Sequence, residues 1–223
     1  MAVVVMGLTM AMITPPLVIA AATRVQNRQA EQAMQIAQGE VDRVRATLAR
    51  EDAQKITLAR LPAIASVSGN LEGFAAPARP ANPVNPSISS PIKSSANCGT
   101  GTYNNGEQIA VNQGLRVDVD GDCKADFFMQ TFRTAGGTPR GSATTPPDFQ
   151  LGVRVYSILA ASSSGALTTK PAALQIVGGQ GNRRTRPLAV LYTPFSQSDQ
   201  SGSALCSYHQ SSTRTGALSA SCN

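Results

Sequence analysis

The sequence predicts an α+β fold in which one long N-terminal helix packs against a small antiparallel β-sheet. Three observations predict this fold. Residues 2–22 carry no charged side chain and continue into an alanine-rich, charged segment with helical periodicity. From residue 98 onwards, short apolar runs alternate with Gly, Asn, Asp and Pro, which is typical of short β-strands. All four cysteines lie in this second part, and an even number of cysteines is typical of exported, disulfide-bonded domains.

The composition sets broad limits on the class of protein. The chain has 223 residues, enough for one ordinary domain and an appendage. Only 14% of the residues are charged and 4% are aromatic, with no Trp, so a large aromatic core is excluded. The formal net charge of +6 is spread along the chain. This charge favours contact with anionic surfaces or polymers and does not by itself indicate nucleic acid as a partner.

The first element is an apolar segment at the N-terminus. The uncharged stretch from Ala2 to Ala22 is 21 residues long, and about 20 apolar residues are needed to cross a bilayer as a helix. The alternative is a cleaved signal peptide, for which Ala20-Ala21-Ala22 offers small residues. No basic residues precede the apolar run, so we expect residues 1–22 to remain as a transmembrane helix.

The second element, over residues 23–62, is predicted to be an amphipathic continuation of the same helix. From Leu17 to about Arg50 only Gly39 interrupts the helical pattern, and such a helix would be roughly 50 Å long. We expect the sheet to pack on its water-exposed half. One apolar stripe has spacings of 3, 4, 4, 3 and 4 residues and consists of Ala30, Ala33, Ala37, Val41, Val44 and Leu48.

The proline pair Pro15-Pro16 lies inside the apolar segment. Pro16 has no N–H, and its ring clashes with the carbonyl group four residues earlier. A helix is therefore expected to kink or melt locally at this point and to restart at Leu17. The alternative is that the prolines cap the start of an ordinary helix, with a loose apolar tail before it.

The remaining chain divides into a connector and a head. Residues 63–97 are rich in Pro and Ser and predict an extended connector. Residues 98–223 predict a disulfide-containing, β-rich globular head. Its short, closely spaced strands favour an antiparallel sheet, with strands expected at Gln108–Val111, Leu115–Val119, Phe127–Arg133, Phe149–Tyr156 and Leu188–Thr193.

The N-terminal half-helix carries a family resemblance. The stretch AMITPPLVIAAATRVQNRQAEQAMQIAQGEVDRVR, followed by a disulfide-bearing β domain, resembles the type IV pilins and pseudopilins. It is most similar to the cyanobacterial hormogonium polysaccharide secretion pseudopilins of type B. The resemblance is specific over about residues 1–48 and only architectural over the rest. It assigns no residue of this chain to prepilin processing.

The resemblance implies a structural function rather than an enzymatic one. It implies a minor pseudopilin subunit of a type II secretion or type IV pilus-like machine that supports polysaccharide export and gliding motility. It places the chain in the plasma (inner) membrane as a single-pass protein, with the head in the periplasm and the subunit assembled into a pseudopilus. The implied partners are other pilins or pseudopilins through the N-terminal helix, the inner-membrane assembly platform, membrane lipid and an anionic polysaccharide.

The resemblance also implies roles for parts of the helix. In pilin-like assemblies the apolar half-helix leaves the membrane and packs in a filament core. The kink at Pro15 and Pro16 would allow the helix to bend between these two states. The small residues of the stripe Ala30, Ala33, Ala37, Val41, Val44 and Leu48 would then pack against helices of neighbouring subunits.

The sharpest local motif is acidic. Asp118, Asp120, Asp122 and Asp126 have the spacing of calcium loops, which need several hard oxygen ligands in a tight turn. The motif resembles the DxDxDGxxD loops of extracellular calcium-binding repeats, although Cys123 stands where glycine is expected. The sequence therefore predicts a Ca²⁺ site, in which a disulfide at Cys123 fixes the turn. The alternative is a solvated acidic β-turn without a ligand.

The cysteines predict two disulfides. Cys98, Cys123, Cys206 and Cys222 contain no CxxC pair, and three connectivities are possible. We favour pairing between neighbours in the sequence, Cys98–Cys123 and Cys206–Cys222. The alternative is reduced, buried thiols in a cytosolic protein.

A basic cluster follows the Gly-rich stretch 178–181. Arg183, Arg184 and Arg186 could bind DNA or an acidic glycan at a filament tip, and the alternative is a solvated loop. The glycines do not form a phosphate-binding loop, because no Lys-Ser follows them. His209 lies in a Ser-rich tail without a recognisable nucleophile motif, so we predict no enzyme activity.

Overall fold

The structure is a computed structural model, and it describes part of the chain. The described residues are 2–50, 60–66, 71–80, 91–99, 102–103, 108–137, 146, 148–172 and 180–196. For residues 2–22, 50 and 180–181 it describes the backbone but not the side chains.

The helix α1 spans Ala2–Arg50 and has 49 residues. It runs through Pro15-Pro16 without interruption, so the local melting and the restart at Leu17 that the sequence allowed are not observed. A proline removes one hydrogen-bond donor, and the bonds of the neighbouring turns can still hold the helix together. Among the side chains that the structure describes, no helix is long and apolar enough to cross a membrane. The transmembrane prediction concerns residues 2–22, whose side chains lie outside the described part.

Within the described residues, the sheet has five strands in the order β1-β2-β3-β4-β5. β1 and β2 are parallel, and the other three pairs are antiparallel. The α+β class is therefore confirmed, but the sheet is mixed rather than antiparallel. The strands are β1 (Ile92–Lys93), β2 (Leu115–Val117), β3 (Phe127–Arg133), β4 (Asp148–Ser157) and β5 (Ala189–Ser196).

Two boundary predictions are wrong. Gln108–Val111 is not a strand, because residues 108–110 have no regular structure and a turn follows at 111–112. Strand β1 lies within residues 63–97, which the sequence predicted to be a connector. Other described parts of this segment also join the head, since Ile64 bridges to Arg133 and Ala78 bridges to Gln113. Main-chain pairing of this kind does not depend on an apolar pattern, so sequence periodicity does not predict it.

The main core lies between α1 and the sheet. Ala33, Ala37, Val41 and Val44 are at most 4% exposed and pack on β4 and β5 of the same chain. Leu48 is partly buried against this cluster, and Ala30 is half-exposed. The prediction that this stripe packs against neighbouring subunits is therefore wrong for its four central residues. Small residues that permit close approach of another helix also permit close approach of a sheet, and the chain's own sheet occupies the position.

A buried ion pair fixes the helix against the strand β1. Glu40 is 2% exposed, and its carboxylate accepts hydrogen bonds from Arg43 at 2.6 and 3.0 Å. Lys93 Nζ lies 3.4 Å from the same carboxylate. Arg43 also donates to the carbonyl oxygen of Arg60 at 2.9 Å. The contact joins the middle of α1 to the edge of the sheet, so the helix has one defined position along the head.

Candidate functional site

The acidic loop, residues 118–126, connects β2 to β3. The disulfide Cys98–Cys123, with Cα atoms 5.5 Å apart, attaches the loop to the segment that follows β1. This confirms the predicted pairing for one of the two disulfides. Cys123 has a φ of 64° and Gly121 a φ of 82°, so both adopt the left-handed conformation. The cysteine therefore takes the conformation for which calcium loops use glycine.

Asp118 forms the centre of the acidic loop. It is 5% exposed, and it accepts hydrogen bonds from Ser94 Oγ at 2.6 Å, Gly121 N at 2.7 Å and Cys123 N at 2.8 Å. Burial raises the pKa of Asp118, but these hydrogen bonds outweigh it and the net shift of the pKa is downward. Asp118 is therefore ionised in the folded protein and holds the turn closed.

Three of the four predicted calcium ligands converge. Asp118, Asp120 and Asp126 each place one carboxylate oxygen within 4.8 Å of the others. Asp122 is not in this group; it forms an ion pair with Lys124 Nζ at 3.1 Å. A backbone hydrogen bond from Asp122 lowers the pKa of Asp120. Desolvation and the neighbouring carboxylates outweigh this hydrogen bond, so the net shift of the Asp120 pKa is upward. The convergent carboxylates thus repel one another, and a bound cation would relieve this repulsion.

The acidic loop supplies hard oxygen ligands of the type that Ca²⁺ prefers. The hydrogen bonds to Asp118 occupy part of its acceptor capacity, so fewer lone pairs remain for a metal. Calcium binding stays a prediction. The sequence did not reveal Ser94, which lies 24 residues before Asp118 and binds it only because β1 and β2 are adjacent.

The basic loop, residues 182–186, precedes β5. Arg183 Nη1 donates to Gln29 Oε1 of α1 at 3.3 Å, and partial burial lowers the pKa of Arg183. Arg184 is exposed, and its side chain has no partner among the described residues; Arg186 is half-exposed. The three arginines predicted to bind a ligand therefore differ in how freely they can meet one, because Arg183 is held against the helix.

A groove of about 380 Å³ runs between α1 and the edge strand β5. It was not predicted, since its walls come from segments about 150 residues apart in the sequence. Arg45 lies at one end, 5.9 Å from the ring centre of Phe195 and 3.4 Å from Asp42. The lining residues are Gln38, Val41, Asp42, Arg45, Leu191, Tyr192 and Thr193.

Several predicted features lie outside the described residues. These are Cys206, Cys222 and His209, and the predicted Cys206–Cys222 disulfide stays a prediction. Comparison with family models, with curated proteins and with solved structures finds no match to this chain.

Proposed function

We propose that this chain is a structural, minor pseudopilin subunit of a type II secretion or type IV pilus-like machine. The observation that supports it is one continuous helix of 49 residues whose second half is held on a disulfide-bonded β-sheet. The 21 residues from Ala2 to Ala22 that precede the held part carry no charge. An apolar helix attached to a folded head is the arrangement that anchoring in a membrane and packing in a fibre both require.

The spacing between anchor and head agrees with this proposal. Within the described side chains of α1, full burial begins at Ala33. Residues 23–32 are exposed or half-exposed and separate the uncharged segment from the sheet by roughly 15 Å of helix. The sheet would therefore lie outside the bilayer while the first 22 residues lie in lipid.

The exposed face of α1 is the one available to neighbouring subunits. It carries the polar side chains Arg24, Arg28, Glu31 and Gln35, and the apolar side chains Val25 and Met34 are exposed as well. Subunit contacts of the water-exposed half of α1 would therefore be mainly polar, with apolar contacts added by Val25 and Met34.

Cysteine cross-linking tests the proposal. In membranes from cells that make the full chain, Gln35→Cys should give a cross-linked dimer with a bis-maleimide reagent. The matched control, Ala37→Cys, replaces a residue that the chain's own sheet covers and should stay monomeric. Resistance of the protein to alkaline extraction should accompany the cross-linked dimer. A protein that extracts as a monomer, with no cross-linked dimer from Gln35→Cys, would contradict the proposed function.

The proline pair provides a second test. Replacement of both Pro15 and Pro16 by Ala in the Gln35→Cys chain should leave membrane insertion intact and lower the yield of cross-linked dimer, because a straight helix would adapt less well to its filament position. A normal yield of dimer from this variant would remove the role of the prolines but not the rest of the proposal. The export of polysaccharide and a role in gliding rest on the family resemblance alone; loss of both on deletion of the gene would support them.

The alternative is a filament-tip module that holds DNA or an acidic glycan. The exposed side chain of Arg184 favours it, whereas the contact of Arg183 with Gln29 removes one of the three cations from a free binding surface. Salt-dependent retention on DNA that is lost in Arg184→Ala would favour this alternative.

A further inference from the structure

Two basic groups that are 150 residues apart in the sequence meet at one level of the helix. Arg24 and Arg28 are exposed on α1, and the basic loop is joined to the next residue, Gln29, through Arg183 at 3.3 Å. Arg184 follows directly in the loop and is exposed. We call Arg24, Arg28, Arg183 and Arg184 the arginine collar.

The collar covers two adjoining sides of the helix. Successive residues of an α-helix are rotated by about 100°, so Arg24 and Arg28 point about 40° apart and Gln29 points about 100° beyond Arg28. Arg24 and Arg28 lie on the exposed face, while Arg183 approaches from the side of Gln29. Positive charge therefore covers about 140° of the helix circumference, over roughly 8 Å of its axis.

The basic loop is held in place by its own hydrogen bonds. Ser163 Oγ donates to the carbonyl oxygen of Arg184 at 2.6 Å, and Thr168 N donates to the carbonyl oxygen of Thr185 at 2.8 Å. Arg186 N closes a turn onto Asn182 O at 2.9 Å. The main chain of the loop is thus ordered before binding, which lowers the entropic cost of contact with a ligand.

The height of the collar matches a bilayer surface. Gln29 lies seven residues beyond Ala22, the last residue of the uncharged stretch, or roughly 10 Å along the helix. The headgroup layer on each side of a bilayer is about 5–7 Å thick. Arginine side chains are about 6 Å long, so they reach from this height into the headgroups, as long basic side chains do at membrane interfaces.

One acidic side chain lies beside the collar. Glu31 is exposed three residues after Arg28, and it is the only acidic residue within residues 23–39 of the helix, so the four arginines outnumber it. The acidic loop is connected to the helix at Glu40 through Lys93. The side chain of Lys93 contacts Glu40, and the carbonyl oxygen of Lys93 accepts a hydrogen bond from Asp118 N. Glu40 lies roughly 16 Å beyond Gln29 along the axis, which is more than the Debye length of about 10 Å.

We propose that the arginine collar binds the headgroups of anionic phospholipids where the helix leaves the bilayer. Arg24 and Arg28 lie roughly 3 and 9 Å beyond Ala22 along the helix, which is the level of the headgroups if residues 2–22 span the hydrocarbon layer. The proposal rests on the proposed function, because it needs residues 2–22 to lie in the membrane. Each arginine near an anionic surface should strengthen the selection of anionic lipid about fivefold.

The test uses the full chain in nanodiscs that contain phosphatidylcholine and phosphatidylglycerol. After extraction with mild detergent, the ratio of the two lipids that remain bound is measured by mass spectrometry. We expect phosphatidylglycerol to be enriched, and the enrichment to fall about fivefold in Arg184→Gln and about 30-fold when Arg24→Gln is added. The control is Arg45→Gln, an exposed arginine roughly 24 Å beyond Gln29 that carries the same charge change.

The outcomes separate this inference from the proposed function. Failure of the chain to enter nanodiscs would overturn both, whereas entry without enrichment would overturn the lipid site alone. An equal loss in Arg45→Gln would overturn it as well, since net charge would then be the cause. Displacement of the lipid by DNA or heparin, with the same dependence on Arg184, would overturn it in favour of a soluble polyanion.

Discussion

At the scale of single residues, Arg154 organises the sheet face opposite the helix. Its guanidinium is fully buried, lies 4.9 Å from the ring centre of Phe132, and has no carboxylate within hydrogen-bond distance among the described contacts. Its charge is instead met by oxygen acceptors, four of which are main-chain carbonyl groups of the segment predicted to be a connector. The acceptors at 2.8–3.2 Å are Leu71 O, Glu72 O, Phe74 O and Ala75 O of that segment, with Gln130 Oε1 of β3 and Tyr192 Oη of β5.

Arg154→Leu should therefore lower the free energy of unfolding by about 3 kcal/mol, since several carbonyl groups would lose their donor inside the protein. Arg184→Leu is the matched control, and its effect should stay within about 0.5 kcal/mol because its side chain is exposed. Urea denaturation of the full chain in detergent measures both values. A loss below 1 kcal/mol for Arg154→Leu would show that the connector is held by other contacts.

The acidic loop makes a second prediction at the residue scale. If it binds calcium, calorimetry with the disulfides intact should detect binding in the micromolar to millimolar range. Asp120→Asn should abolish the signal, because Asp120 belongs to the convergent set. Asp122→Asn should weaken it only slightly, because Asp122 is paired with Lys124. Equal losses in both variants would contradict this geometry, and no signal at millimolar Ca²⁺ would reject the site.

At the scale of elements, the register of strand β5 explains why it can contain a proline. Gln150 accepts a hydrogen bond from Thr134, so its main chain points toward β3 and away from β5. Pro194 is directly opposite Gln150, and its nitrogen therefore faces the open edge of the sheet. A proline costs no ladder bond at this position, and it hinders the addition of a further strand.

The disulfide and the backbone of the acidic loop can be separated by mutation. Replacing both Cys98 and Cys123 by Ala should lower the free energy of unfolding by about 3 kcal/mol on the loop-closure model, since 25 residues separate them. Combining Cys98→Ala with Cys123→Gly should recover about 1 kcal/mol, because glycine adopts the φ of 64° without strain. Thermal denaturation compares the two double variants, and a less stable Gly variant would contradict the backbone argument.

At the scale of the whole molecule, the docking of the helix on the sheet decides stability. Ala37 is 0% exposed, so Ala37→Leu should force the helix away from the sheet and destabilise the head by about 1–3 kcal/mol. Ala46→Leu is the control, since Ala46 is exposed on the same helix and its substitution should change stability by less than about 0.5 kcal/mol. Denaturation midpoints provide the measurement. Equal effects of the two substitutions would contradict the observed docking face.

The strands show how far sequence patterns extend. Phe127–Arg133 is predicted with its observed bounds, and β4 and β5 are found within a few residues, because apolar runs between turn residues mark them. Lys93 and Ile92 carry no such pattern and form β1 only because β2 offers them a parallel partner. For the candidate site, sequence patterns predicted the spacing of the Asp residues and the favoured cysteine pair. They did not predict the hydrogen bond from Ser94 to Asp118.

The sequence by itself determined the long helix, its apolar stripe and the α+β class, and it left three cysteine connectivities open, of which the structure shows the favoured Cys98–Cys123 pair. These follow from local periodicity and short-range spacing, which act along the chain. Only the tertiary structure decided that the stripe faces the chain's own sheet, that Asp122 leaves the acidic cluster, and that the basic loop reaches Gln29. Each of these depends on contacts between residues far apart in sequence, and a one-dimensional pattern does not specify which surface will cover an apolar face.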